Sequence, residues 1–138
     1  MKDILKMGRI QIAIIVLFVL FKWIRPSVMV REGHELFKLF LWSFPNLCEG
    51  IIGVLTLTGM GIYLTKALKI NNKLIYVIAI LLATLYVTTQ EFKIHNLGGN
   101  NIYDPNDLIF SAIGIGMGAI IVFRLNPKIT PQVNSKIK

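Results

Sequence analysis

Six residues hold most of the chemistry this chain can offer: Glu49, Gln90, Glu91, Asp104, Asp107 and Ser111. Four of them are carboxylates, in a chain with only 7 Asp and Glu among 138 residues. Glu91, Asp104 and Asp107 fall in one stretch, "TTQEFKIHNLGGNNIYDPNDL" (88–108), the most polar part of a sequence that is 54% hydrophobic. In such surroundings a carboxylate can start a helix, accept hydrogen bonds from a ligand or hold a cation. For "DPND" the first role suffices: Asp104 suits an N-cap, Pro105 the first helical position and Asp107 the third. Asp107 also shares a helical stripe with Ser111, Gly114 and Gly118. Glu49 is harder to account for. It falls about one turn inside a helix expected to start at Pro45 and Asn46, where an ionised carboxylate is costly unless it faces protein or water. Gly53, Thr56 and Met60 share its stripe, and Thr84, Thr88 and Glu91 form a similar one further along.

Other chemistries find no footing. The sequence contains no HExxH and no ordered Ser, His and Asp set. "NLGGNN" is a turn signal around Gly98 and Gly99 with no strand–loop–helix unit to make it a phosphate loop. His34, His95 and the single Cys48 lack metal-ligand spacing, so neither a metal nor a cofactor is expected. With no nucleophile and base paired, the residues read as a binding or structural set before an enzymatic one.

The elements that must position these groups are membrane helices. An apolar share above the 45–50% usual for soluble domains, with a mean hydropathy of +0.65, calls for lipid as the solvent. Four apolar segments are expected to span: Ile10–Ile24, Leu47–Leu64, Leu74–Gln90 and Leu108–Phe123. At 1.5 Å per residue, each of the later three covers roughly 25 Å, enough for the hydrocarbon core with little tilt. Lys22 interrupts the first, where it and Arg25 can snorkel to the interface beside Trp23. That segment also resembles a signal sequence, but "FKWIRPS" offers no small-x-small cleavage site, so it is read as an uncleaved span. Leu36, Phe37, Phe40, Leu41 and Phe44 predict a short helix lying at the interface between spans one and two. "NPKITPQVNSKIK" predicts a flexible tail over 126–138.

The net charge of +8 does not point to nucleic acid, because the basic residues stand singly at the ends of apolar runs. Ten of the 15 basic residues fall on the amino-terminal tail, the second connection and the carboxyl tail, and five on the other two connections. Both termini are therefore expected in the cytoplasm, with the acidic stretch on the outer face of a bacterial cytoplasmic (inner) membrane. Gly114 and Gly118 make a small-xxx-small pair suited to close helix packing or to a homo-oligomer.

Residues 85–123 resemble the VanZ-like family of small bacterial membrane proteins. The resemblance rests on Gln90-Glu91 closing a span, a short Gly-containing connection, "DPNDL" from Asp104 to Leu108, and the small-residue helix "SAIGIGMGAI". "FPNLCEGIIG" adds a fainter likeness. It implies an all-α membrane protein, a bundle of four transmembrane helices, with a VanZ-like domain over 1–125. It also implies that Glu91, Asp104, Asp107 and Ser111 occupy the family's polar positions, and it links the chain to the cell envelope. The expected function is an outer-face acidic pocket, formed by Glu49 with the other five residues, for a lipid-linked or cell-wall ligand. A small oligomeric transporter of a cation or cation-bound solute, and an accessory membrane assembly protein, are the alternatives. Membrane lipid is a partner in all three.

The topology is open to direct measurement. In a Cys48→Ser background, Asn100→Cys is expected to react with a membrane-impermeant maleimide on intact cells. Reaction only after lysis would reverse the assigned orientation.

Overall fold

The computed structural model describes residues 2–29, 35–65, 68, 70–91 and 105–128. They form four helices: α1 (Lys2–Met29), α2 (Glu35–Leu64), α3 (Asn72–Glu91) and α4 (Pro105–Leu125). All four are long and apolar enough to cross a membrane. The end where α2 and α4 begin carries Asp107 and is called here the acidic end, with Glu49 midway along α2; the opposite end, where α1 and α3 begin, is the basic end.

Helix α2 is the hub, packing on α4 most extensively and on α1 and α3 as well. The α2–α4 contact is a backbone contact. A Cβ added at Gly50 would come within 2.6 Å of the Ser111 carbonyl oxygen, and one at Gly118 within 2.9 Å of the Val54 Cβ. At Gly114 it would overlap the Leu47 carbonyl. Positions rise together along both helices, so α2 and α4 run in the same direction. Val54, Leu55 and Val122 are fully enclosed beside this seam, and Ile51, Ile115, Ile75 and Ala83 extend the core.

Helix α1 is held less deeply: only 6% of its most apolar stretch is buried. Ile12, Val16, Val19 and Trp23 point outward, an apolar surface that suits lipid. Two kinds of contact hold it. Near the acidic end Phe21 stacks on Phe44 at 4.1 Å between centroids and meets Phe40 edge-on, and Phe40 in turn meets Phe110 of α4. Arg25 lies 3.6 Å above the Trp42 ring. Deeper in the bundle the Gln11 amide donates to the Thr56 hydroxyl at 2.6 Å. Such interhelical bonds in lipid contribute about 0.6 kcal/mol on average.

The helix ends follow local rules. Asn71 caps α3, its side chain accepting from the Lys73 N–H at 3.0 Å. Asn126 ends α4 at φ 43°, the left-handed conformation that asparagine tolerates, with Pro127 after it. The Tyr76 hydroxyl then donates to the Pro127 carbonyl at 2.7 Å and lies 3.2 Å from the Asn126 side chain. The first residues of the expected tail are thus docked on α3, and Pro127 is buried.

Two expectations need revision. No separate interfacial helix precedes α2; Leu36 to Phe44 are its first turns, and the helix runs on through Pro45. The proline removes one backbone donor, but Phe40 and Phe44 on one side and Leu47 and Ile51 on the other each pack against neighbouring helices, and the helix continues across it. Pro45 and Asn46 accordingly do not start a helix. Gly114 and Gly118 lie against α2 of the same chain, the close helix packing expected of the pair. The turn around Gly98 and Gly99, both histidines, and 129–138 lie outside the described residues.

Glycine substitutions separate packing from propensity. Gly114→Ala is expected to cost roughly 1–3 kcal/mol or more through overlap with the Leu47 backbone. Gly116→Ala, with nothing within 4 Å, should be neutral or stabilising by up to about 1 kcal/mol. Unfolding in mixed detergent micelles measures both; equal effects would mean that α2 and α4 are not in backbone contact.

Candidate functional site

Glu49 stands on α2 at the level where Gly50 lies against Ser111 and Ile115. Its neighbour Gly50 is buried in the α2–α4 seam, so Glu49, 100° around the helix, is turned out of it and is exposed. It opens into a groove between α2 and α3 of about 390 Å³. Gly53, Thr56 and Leu57 continue the α2 wall, and Leu82, Ala83, Tyr86 and Val87 form the α3 wall. From Glu49 to Leu57 the groove runs about 12 Å along α2. The groove exists because Gly53 has no side chain: a Cβ there would meet only the Ala83 Cβ, at 3.9 Å. The walls are apolar except for Glu49 at the groove's end nearer the acidic end, the Tyr86 hydroxyl and the Thr56 hydroxyl, which already accepts from Gln11.

Two charged groups act on Glu49. Lys22 of α1 and Asp107 of α4 both lie within electrostatic reach of its carboxylate. No described side chain makes an ion pair or hydrogen bond with Glu49 itself. Lys22 also approaches the Phe18 ring, at 5.6 Å from its centroid. The sequence reading assigned Lys22 to the interface as an anchor. A lone Lys in span one and a lone Glu early in span two was the signal for an electrostatic pair, once the two are seen as antiparallel neighbours.

Asp107 lies in the first turn of α4, half-buried, with its Oδ1 enclosed and without a hydrogen-bond partner among the described residues. Ser111, one turn on, is buried at the seam. Ser43, seven residues before Gly50 and on the same face of α2, is fully buried, and its Oγ also lacks a described partner. By the α2–α4 register Ser43 and Asp107 occupy facing sides at one level. Sequence reasoning passed over Ser43, because a serine in an aromatic run reads as ordinary helix surface.

The remaining residues of the expected site are Gln90, Glu91 and Asp104. Gln90 is exposed in the last turn of α3, Glu91 is the final residue of that helix, and Asp104 lies outside the described residues. The Thr84–Thr88 stripe faces α4 rather than Glu49: with Val87, Leu108, Ala112 and Ile115 it lines a separate hollow of about 140 Å³. Its hydroxyls are spent on their own helix, Thr84 donating to the Ile80 carbonyl at 2.9 Å and Thr88 to the Thr84 carbonyl at 2.7 Å. The structure therefore brings Asp107 and Lys22 within electrostatic reach of Glu49, while Ser111 and Ser43 are buried.

No protein-family model, curated protein or solved structure matches this chain. What the arrangement can do follows from its own groups. A long apolar groove with one carboxylate at its end and an ammonium nearby can seat an amphiphile, tail along Gly53 to Leu57 and polar group between Glu49 and Lys22.

Access to Glu49 from the lipid side can be tested chemically. Dicyclohexylcarbodiimide, a carboxyl reagent that acts from the lipid phase, is expected to modify Glu49 faster than the half-enclosed Asp107. Gly53→Leu, which fills the groove, should slow the Glu49 reaction several-fold. Equal rates at both carboxylates, read by peptide mass spectrometry, would place Glu49 outside any lipid-facing groove.

Proposed function

We propose that this chain is a binding protein of the bacterial cytoplasmic membrane that holds a lipid-linked cell-envelope molecule in the α2–α3 groove. The single observation that carries the reading is the groove itself: apolar along its length, open at Gly53, and closed toward the acidic end by Glu49. A polyprenyl or acyl chain fits walls of Leu57, Leu82, Ala83 and Val87, where its contacts match those it would make in lipid. Affinity must then come from the polar end.

Lys22 supplies the positive charge there. Carboxylates alone would repel a phosphate headgroup and would demand a bridging cation. With Lys22 on α1 the protein provides that charge itself, leaving Glu49 and Asp107 to accept hydrogen bonds from sugar hydroxyls or amides of the attached group. The resemblance of residues 85–123 to VanZ-like proteins supports an envelope role. The positive-inside asymmetry supports a groove that opens toward the outer leaflet. No step of bond making is assigned to these residues.

The test uses a diazirine-bearing polyprenyl phosphate with the chain in native membranes. Labelling is expected on α2 and α3 peptides that contain Leu57 and Tyr86, and should be lost in Gly53→Leu but kept in Gly116→Leu. Lys22→Gln should weaken competition by unlabelled polyprenyl phosphate roughly 5-fold, the effect of one interfacial charge. Polyprenyl alcohol labelling as well as the phosphate, or label unaffected by Gly53→Leu, would remove the basis of the proposal.

A further inference from the structure

A further concavity lies at the basic end of the molecule and has a different chemistry. It has a volume of about 290 Å³ and is lined by Ile70, Asn71, Asn72, Lys73, Asn126 and Lys128. We infer that this cavity is a site for a phosphate-bearing anion at the basic end of the bundle, held by Lys73 and Lys128. The inference does not depend on the groove.

The two lysines are far apart in sequence and line one cavity only because of one tertiary contact. Asn126 turns the chain at the end of α4, and the Tyr76 hydroxyl fastens Pro127 to α3 one turn from its start. The turn is anchored: Pro127 is enclosed, and the Tyr76 ring packs edge-on against Phe123 at 5.8 Å. Lys128 thereby lines the same cavity as Lys73. Two lysines on the lining of one cavity gather positive charge, and an anion bound there offsets their mutual repulsion.

Among the described residues no carboxylate lines the cavity. Asp3 of α1, whose charge is felt at the Tyr76 hydroxyl, is not one of the lining residues. Asn72 and Asn126 add amide groups around the lysines. The start of α3 contributes little by itself, because its Lys73 N–H is already engaged by Asn71. The donors are therefore side chains. A phosphate, with several acceptor oxygens and one or two charges, matches two ammoniums and flanking amides better than a single carboxylate does. Its place beside the ends of two membrane-length helices puts the cavity at headgroup level, where a phospholipid is the abundant source.

The experiment uses the full chain carrying Gly53→Leu, so that the groove is blocked, in detergent micelles. Retention of phosphatidic acid and of phosphatidylcholine with the same acyl chains is compared by native mass spectrometry. Phosphatidic acid is expected to be retained preferentially. Lys73→Gln with Lys128→Gln should weaken that retention roughly 30-fold, the combined effect of two interfacial charges. Lys6→Gln with Arg9→Gln, which removes equal charge from α1 outside the cavity, should leave it nearly unchanged. Displacement of the lipid by inorganic phosphate would support the site with a soluble anion as its occupant, and resistance to displacement would support a lipid headgroup. Equal retention of the two lipids, or an equal loss in the α1 variant, would overturn the assignment.

Discussion

The structure depends on one close approach, that of the α2 and α4 backbones along Gly50, Gly114 and Gly118. In lipid the apolar effect gives helices little reason to associate, so the contact that brings backbones within van der Waals range has to come from small residues. Here it sets both the separation and the register of two helices that run in the same direction. Everything polar near the acidic end inherits its position from that register. Ser111 is buried because its backbone faces Gly50, and Glu49 is turned out of the seam because its neighbour Gly50 fills it.

The same constraint shapes the groove. With α2 drawn onto α4 by one face, its adjoining face meets α3 less tightly, and Gly53 leaves an opening beside Ala83. Glycines on one helix thus do opposite things a single turn apart. Gly50 has no room for a side chain because a backbone occupies the space, while Gly53 has room that nothing occupies. An aromatic cluster of Phe21, Phe40, Phe44 and Phe110 then ties α1 to this pair and brings Lys22 within reach of Glu49. Edge and offset aromatic pairs contribute about 0.5–1.5 kcal/mol each, enough to order a helix that buries little else.

The polar residues divide by how far they were legible. Glu49 stood out in sequence because a carboxylate inside an apolar run needs a partner, and the structure places it at the end of a groove. Asp107 and Ser111 were recognisable from a shared stripe, and both face α2. Thr84 and Thr88 looked similar by spacing, yet their hydroxyls bond to their own carbonyls and their side of α3 faces α4. Helical periodicity places residues on a common face but does not say which neighbour that face meets. Lys22 was legible as an interfacial anchor but not as a charge acting on Glu49, which lies on another helix.

What the sequence by itself determined is the set of helices and their solvent. Long uncharged runs must satisfy their backbone internally, and in lipid only a helix does so within one segment. The tertiary structure alone decided that α2 is continuous through Pro45, with packing against neighbouring helices on either side of it. It also decided that the glycine pair meets α2, and that Tyr76 holds the end of α4 so that Lys128 lines the same cavity as Lys73. Those outcomes turn on distances between segments remote in sequence, which composition and spacing do not encode.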